Sequence, residues 1–369
     1  MEALLPFLFS INRCFVVPAS GWSDSSFQVS SAAPFSPPLK MDVDPPFEEH
    51  YKSLFEKSIG KTRINDIFEE LELPLIDLSR LNDAKPGREK CEREIAEAAE
   101  KWGFFQAVNH GIPREILEKL HREQLKLFEQ PFAKKAGGKL FNFSVDSYRW
   151  GAPSATCLRQ FSWSEAFHIP LTDIPDSGEF NSLSSTIKEY EATVSALAQS
   201  IAATLAENLG VESNFFVENC LRSTCYLRLN RYPPCPISAE IFGLIPHTDS
   251  DFLTILYQDQ IGGLQLLKDG RWITVKPNPE ALIINIGDLF EAWSNGLYKS
   301  VQHRVMANRQ VERFSVAYFF CPSYDSVIKS CREPSVYRKF SFREYRQQVQ
   351  EDVRTVGYKI GLSRFLLRS

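Results

Sequence analysis

The spacing of apolar positions changes once along the chain, near Ser223. Before this point apolar side chains recur every three or four residues, a spacing typical of amphipathic helices. The pattern predicts helices over Gly87–Trp102, from Pro113 onward and over Leu183–Leu209. After Ser223 apolar and polar residues alternate, as they do in half-buried strands. A helical half followed by a strand-rich half is therefore expected.

Short apolar or alternating runs predict the strands. Two precede the long helix, at residues 73–78 and 103–111, and the others lie at 224–231, 253–257, 264–267, 272–275, 281–286, 301–306 and 313–320. Asp269-Gly270 is a hairpin turn signal between two of them. Ser341 and Glu344 have capping-box spacing and predict a final helix. This element order predicts an α+β, mainly β protein, in which helices pack on a β-sandwich or small barrel.

The N-terminal stretch differs from the rest of the chain. It is rich in serine, poor in acidic residues and ends in a proline-rich run, so residues 1–40 are expected to form a disordered N-terminal extension. An organelle transit peptide is the alternative, although such peptides usually contain more arginine. Met41 opens an acidic stretch and is a second possible start of translation.

Composition and charge exclude several classes of function. The 369 residues are 43% hydrophobic and 24% charged, and 42 basic against 46 acidic residues give a formal charge of −4. No basic excess is present to neutralise phosphates, so a nucleic-acid partner is not expected. No run approaches the ~20 apolar residues of a membrane-spanning helix. The eight cysteines form no CxxC pair; reduced thiols and a cytoplasmic location are expected.

Two histidines stand two residues before an acid, and local geometry separates them. His121 and Glu123 lie in a predicted helix, where residues i and i+2 point to nearly opposite sides of the axis. His247 and Asp249 lie in an extended stretch, where residues i and i+2 share a face. Only the second pair can bind one metal ion together.

A third ligand and an anion-binding pair follow in the strand-rich half. His303, in the alternating segment Val301-Gln-His-Arg-Val, completes two histidines and one carboxylate, the ligand set of non-haem Fe(II) oxygenases. Further along, Arg313 and Ser315 share one face of a strand. A guanidinium and a hydroxyl placed in this way can bind a carboxylate.

Together these residues resemble the Fe(II)- and 2-oxoglutarate-dependent dioxygenases of plants. Two further stretches resemble motifs of that family, Trp102-Gly-Phe-Phe-Gln-Ala-Val-Asn-His-Gly and Asn230-Arg-Tyr-Pro-Pro-Cys-Pro. Within the family the chain is most similar to gibberellin 2-oxidases that act on twenty-carbon gibberellins. That similarity rests on Tyr148-Arg-Trp-Gly-Ala-Pro-Ser-Ala-Thr and Phe161-Ser-Trp-Ser-Glu-Ala-Phe-His-Ile-Pro.

The resemblance implies a double-stranded β-helix, or jelly-roll, core flanked by helices. It implies a helical and strand region over 41–221, the dioxygenase core over 222–325 and a C-terminal helical segment over 326–369. Fe(II) is then held by His247, Asp249 and His303, and the co-substrate 2-oxoglutarate by Arg313 and Ser315, with help from Tyr232 and near Asn230. Dioxygen is the oxidant, and ascorbate is expected to support activity.

The implied reaction is 2β-hydroxylation of a gibberellin, a small diterpenoid acid, which inactivates the hormone or its precursors. Arg149, Arg159 and His168 lie in the subfamily segments and are candidates to meet the substrate's carboxylates; structural ion pairs are the alternative role for the two arginines. Other plant dioxygenase reactions, such as gibberellin 20- or 3-oxidation or flavonoid oxidation, and a catalytically silent ligand-binding barrel are alternative functions. The sequence does not indicate an oligomeric state.

Overall fold

The structure is a computed structural model that describes residues 43–56, 70–138, 147–152, 155–157, 160–176, 178–212, 214–237 and 241–367. The extension expected over residues 1–40 lies outside this part of the chain. None of the described helices is both long and apolar enough to cross a membrane.

Most helices precede the barrel strands, as the apolar spacing predicts. The helices are α1 (Phe47–Glu56), α2 (Gly87–Lys101), α3 (Arg114–Phe128), α4 (Phe132–Ala136), α5 (Asn181–Asn208), α6 (Asn214–Asn219), α7 (Asp288–Trp293) and α8 (Phe342–Val356). The cap of α8 is the predicted one, since the Ser341 hydroxyl accepts a hydrogen bond of 3.1 Å from the Glu344 amide. A left-handed Gly357 ends that helix.

The strands are β1 (Glu70–Leu71), β2 (Leu75–Asp77), β3 (Phe104–Val108), β4 (Tyr148–Trp150), β5 (Glu165–Pro170), β6 (Tyr226–Tyr232), β7 (Phe242–His247), β8 (Leu253–Gln258), β9 (Leu264–Lys268), β10 (Arg271–Val275), β11 (Leu282–Ile286), β12 (His303–Met306), β13 (Arg313–Phe320), β14 (Val327–Ile328) and β15 (Phe340–Ser341). They form one sheet in the order β1-β10-β9-β12-β7 and another in the order β2-β3-β11-β8-β13-β6-β5-β4, with β14 and β15 paired separately.

An apolar layer joins the two main sheets. Phe104, Tyr232 and Ile283 from the larger sheet form one buried cluster with Leu266 and Val305 from the smaller sheet. Helices cover the outer face of the larger sheet, so β13 is buried along its whole length. The fold is therefore the expected jelly-roll core flanked by helices.

The first helix explains the aromatic residues of the subfamily segments. Phe47 stacks on Trp163 with ring centroids 4.6 Å apart and meets the edge of Trp150 at 5.6 Å. Tyr51 contacts Phe161 at 4.1 Å, and its hydroxyl accepts a hydrogen bond from the Ala152 amide. These aromatic side chains therefore pack α1 onto the barrel.

A buried ion network fixes the edge of the larger sheet beside the site. Glu165 on β5 pairs through one oxygen with Lys135 and through the other with Arg231 on β6, both at 2.7 Å. Arg231 also pairs with Asp44 at 2.7 Å, ahead of α1. Lys135 and Glu165 are completely buried, and removing one partner of such a pair leaves an uncompensated charge. The network thus links four separate parts of the chain.

Candidate active site

The candidate site is a cavity of about 220 Å³ between the two main sheets. Strands β6 and β13 supply one wall, because alternate residues of a strand share a face. In their antiparallel register Arg313 lies opposite Tyr232, and Ser315 lies opposite Asn230. All four of these predicted residues line the cavity.

The three predicted metal ligands meet at the other wall. His247 is the last residue of β7, and its partner in the sheet is His303, the first residue of β12. A β-bulge follows this pair, and the two imidazole rings lie 4.2 Å apart. Asp249 lies in the loop after β7, with Oδ1 at 3.6 Å from His247 Nε2 and 3.8 Å from His303 Nε2.

Each imidazole is oriented by a hydrogen bond to backbone. The Nδ1 atom of His247 lies 2.8 Å from the Ile245 carbonyl oxygen, and that of His303 lies 3.1 Å from the Val301 carbonyl oxygen. A carbonyl only accepts, so Nδ1 carries the proton and the lone pair of Nε2 faces the carboxylate. Burial and the neighbouring His303 lower the pKa of His247 to about 3, which keeps its ring neutral at neutral pH, as a metal ligand must be.

The Asp249 carboxylate is held from the other side. Its Oδ2 accepts hydrogen bonds of 2.6 Å from the Thr254 hydroxyl and 2.7 Å from the Asn285 amide. Burial opposes ionisation, but the two histidines and these hydrogen bonds outweigh it and lower the pKa of Asp249 to about 2. With Oδ2 occupied, Oδ1 is the atom directed toward the imidazoles.

This ligand set fits a single ferrous ion. Ligand atoms up to about 4.2 Å apart can be joined by two bonds of about 2.1 Å to one ion. The two carboxylate-to-imidazole distances are shorter than that limit. The ligand atoms of the three residues all lie within 4.8 Å of one another. Among the described residues, these three side chains form the group that is arranged to hold a metal ion. Two histidines and one carboxylate suit Fe(II) and leave positions for a co-substrate and dioxygen.

Arg313 is a buried cation with spare donors. It is 2% exposed, and its Nη2 donates to the Gln258 side-chain oxygen at 2.6 Å while Nη1 lies 3.5 Å from the Ser315 hydroxyl. Its Nε has no partner among the described residues. Tyr232 lies beneath the guanidinium, 4.8 Å from ring centroid to Cζ. A buried charge is costly unless it is paired, so this group fits an incoming carboxylate.

A residue that the sequence did not indicate fixes the same strands from outside the barrel. The Gln124 amide on α3 donates hydrogen bonds of 3.0 Å to the backbone carbonyls of both Asn230 and Ser315. Inside the barrel, the Asn230 amide lies 3.3 Å from the Ser315 hydroxyl. Helix α3 thereby supports the strand pair at the predicted co-substrate residues.

Of the three predicted substrate-binding residues, the two that the structure describes, Arg149 and His168, do not line the cavity. Arg149 is exposed on β4 and is absent from the cavity wall, and Arg159 lies outside the described residues. His168 on β5 stacks on Tyr226, a cavity residue, at 4.1 Å. Burial and three arginines lower the pKa of His168 to about 3, so its imidazole is uncharged at neutral pH. It therefore cannot supply the positive charge that a substrate carboxylate would need.

Arg228 is the cation that the sequence reading missed. It lies on β6 two residues before Asn230, faces the cavity and stands opposite the small Ala317 on β13. No carboxylate within the described part of the chain forms an ion pair with it. Alternation along β6 from Asn230 would have placed Arg228 on the interior face, which is the signal that could have identified it.

Comparisons with known proteins agree with this geometry. Residues 223–322 match the model of the 2OG-Fe(II) oxygenase superfamily, and residues 73–184 match that of the non-haem dioxygenase in morphine synthesis N-terminal region. The chain is 59% identical to gibberellin 2-beta-dioxygenase 8 of Arabidopsis thaliana over 336 residues, 88% of this chain and 99% of the relative. It is 49% identical to gibberellin 2-beta-dioxygenase 6 of Oryza sativa subsp. japonica, covering 89% of this chain and 97% of the relative.

A solved structure is similar over most of the chain. JOX2, in complex with 2OG, Fe and JA, superposes with a TM-score of 0.69 at 29% identity, covering 86% of this chain and 97% of JOX2.

Replacing Asp249 with Ala should abolish specific metal binding while the fold survives. Losing one of three ligands should weaken Mn(II) binding to the apoprotein by more than about 100-fold, since loss of an outer-shell partner alone costs 10–100-fold. Electron paramagnetic resonance of free Mn(II) measures the affinity, and circular dichroism checks the fold. His110→Ala, at a histidine outside the cavity, is the control. Wild-type affinity in Asp249→Ala would remove this residue from the ligand set.

Proposed function

The chain belongs to the 2OG-Fe(II) oxygenase superfamily and groups there with the gibberellin 2-beta-dioxygenases, and we propose that it 2β-hydroxylates gibberellins, acting on the twenty-carbon class. The observation that carries the oxygenase function is the cavity shared by the His247, Asp249 and His303 side chains and by the buried Arg313, which forms no ion pair with any residue that the structure describes. The gibberellin substrate is supported by 59% identity that spans 99% of a gibberellin 2-beta-dioxygenase. A metal store or silent barrel would have no use for a carboxylate anchor beside its metal ligands.

Each group in the cavity then has one task. His247, Asp249 and His303 hold Fe(II), and Arg313 with Ser315 binds the distal carboxylate of 2-oxoglutarate, over the Tyr232 ring. Bound iron supplies the redox chemistry, in which dioxygen converts 2-oxoglutarate to succinate and carbon dioxide and hydroxylates the substrate. The sheets and helices around the site exclude water and fix the two organic molecules relative to each other.

Arg228 is proposed as the substrate's carboxylate anchor in place of Arg149, which is exposed on β4. A twenty-carbon gibberellin precursor carries two carboxylates on a rigid apolar skeleton, and burying one of them requires a positive partner or several hydrogen bonds. Arg228 is the cavity-lining arginine other than Arg313, and it lies toward the far end of β6 from Tyr232. Tyr226 and Phe319, stacked at 4.5 Å beside it, supply apolar surface for the ring system.

The reaction is tested by offering purified enzyme nineteen- and twenty-carbon gibberellins together, with Fe(II), 2-oxoglutarate and ascorbate. Mass spectrometry of the products should show hydroxylated twenty-carbon gibberellin formed in step with succinate. Hydroxylation of the nineteen-carbon compounds alone would contradict the substrate class. Absence of succinate with every gibberellin would contradict the proposed function itself.

Arg313→Lys should raise the KM for 2-oxoglutarate by about tenfold or more and leave that for the gibberellin nearly unchanged. Lysine retains the charge but loses the planar two-point contact, and the exchange is not conservative at such a site. Steady-state kinetics with each substrate varied in turn measures the difference. Equal increases for both substrates would mean that Arg313 acts through the structure of the barrel.

Arg228→Gln should weaken gibberellin binding by about 2 kcal/mol, roughly 30-fold, the low end for losing one partner of a buried charge pair. The KM for 2-oxoglutarate should stay constant. A gibberellin methylated at the anchored carboxylate provides the matched comparison, because the wild type and Arg228→Gln should bind this ester equally. Arg149→Gln is the control variant on β4. If Arg228→Gln binds the free acid as tightly as the wild type, another group holds the carboxylate.

A further inference from the structure

The loop that carries Asp249 lies between two strands and has no strand partner of its own. Strand β7 ends at His247 and β8 begins at Leu253. Backbone amides at the start of α7 hold the loop, because Asp288 donates to the Asp249 carbonyl at 2.9 Å and Leu289 donates to the Asp251 carbonyl at 3.0 Å. These two bonds fix carbonyl groups in the loop, but they do not hold the residues on either side of Asp249.

One side chain from the C-terminal segment contacts both of those residues. The Lys359 ammonium donates to the Thr248 carbonyl oxygen at 2.9 Å and to the Ser250 hydroxyl at 2.8 Å. Its third contact is with the Asp288 carboxylate, at 2.5 Å, which also accepts a hydrogen bond of 3.1 Å from the Thr248 hydroxyl. One cation therefore links both neighbours of Asp249 to the start of α7.

The surroundings match an ammonium group in particular. Three acceptors suit the three donors of a lysine ammonium, whereas an arginine presents its donors in one plane. Most of the Lys359 side chain and nearly all of the Asp288 side chain are buried, so solvent screens their pairing weakly. The contact is part of the protein interior.

The C-terminal segment is itself firmly attached. The buried Tyr345 of α8 donates a hydrogen bond to the Asp288 carboxylate, and Lys359 lies 5.6 Å from the centre of the Tyr345 ring. Further along, Arg364 pairs at 2.9 Å with Asp352, which is completely buried on α8. Lys359 is thereby presented to the loop by a folded element.

We propose that Lys359 is a positioning residue for the iron site: it fixes Thr248 and Ser250 and so sets the direction of the Asp249 carboxylate between them. It is not one of the potential metal ligands and does not line the cavity. The proposal depends on the metal site and not on the gibberellin, so a different substrate would leave it standing. Its consequence is that the segment following α8, far from the barrel strands in sequence, helps determine metal affinity.

The test measures metal binding by the full-length apoprotein, with no turnover required. Lys359→Met should raise the Kd for Mn(II) about tenfold, the low end of the 10–100-fold cost of losing outer-shell support for a ligand. Electron paramagnetic resonance of free Mn(II) gives the Kd, and calorimetry gives the Tm of the same apoprotein. A purely structural role would lower the Tm and leave the Kd unchanged.

Arg364→Met is the matched control. It removes an ion pair from the same C-terminal segment, but the recorded partner of Arg364 is Asp352 and not the loop. We expect its Tm to fall while its Kd for Mn(II) stays within twofold of the wild type. Equal increases in Kd for Arg364→Met and Lys359→Met, or an unchanged Kd in Lys359→Met, would overturn the proposal.

A second variant tests the proposal if Lys359→Met does not fold. Ser250→Ala removes one acceptor of Lys359 and should raise the Kd about three- to fivefold, as expected for one hydrogen bond. The same change should have a smaller effect in a Lys359→Arg background, because a planar guanidinium cannot reproduce all the contacts of the ammonium group. An effect of equal size in both backgrounds, or none in the wild type, would show that Lys359 does not act through Ser250.

Discussion

The active site depends on one constraint, that a buried carboxylate must present a single oxygen to two imidazoles. Asp249 meets it because Thr254 and Asn285 occupy its other oxygen. Without those two donors, the charged group would lose the hydrogen bonds that offset its burial. The neutral state of His247 and the orientation of both histidines agree with this arrangement. The Nε2 lone pairs of the imidazoles and the charged oxygen of Asp249 are directed toward one common position.

The paired strands β6 and β13 supply the side chains of the cavity wall that is not formed by the metal ligands. Every second pair of residues along the two strands faces the cavity. The series begins with Tyr232 and Arg313 and ends with Tyr226 and Phe319. The ends of this series are six positions apart along each strand, which is about 20 Å at 3.3–3.4 Å per residue. A co-substrate anchor and an apolar stacked pair are thus held at fixed separation by backbone hydrogen bonds.

Much of this was predictable from sequence because the signals are local. Strands β4 and β5 were not among the predicted elements. The helices α2, α3, α5 and α8 and most of the remaining barrel strands follow from apolar spacing, and the metal ligands follow from residue types on extended backbone. Strand β7 did not, because Gly243-Leu-Ile-Pro has the composition of a turn while pairing with β12 makes it a strand. Alternation from Asn230 places Arg228 on the interior face of β6, but no local signal indicates Lys359, whose contacts with Thr248 and Ser250 only the fold brings together.

The interior series along β6 and β13 has a consequence for how such enzymes diversify. Tyr232 and Arg313, at one end of the series, belong to the proposed co-substrate anchor, whereas Arg228, Tyr226 and Phe319 line the cavity toward the other end. Because side chains on the same strand face are two residues apart, a substitution toward that other end alters neither the register nor the pairs at the first end. Substrate preference can therefore change through a few substitutions near Tyr226 and Phe319, while the residues near Tyr232 and Arg313 that bind the co-substrate stay the same.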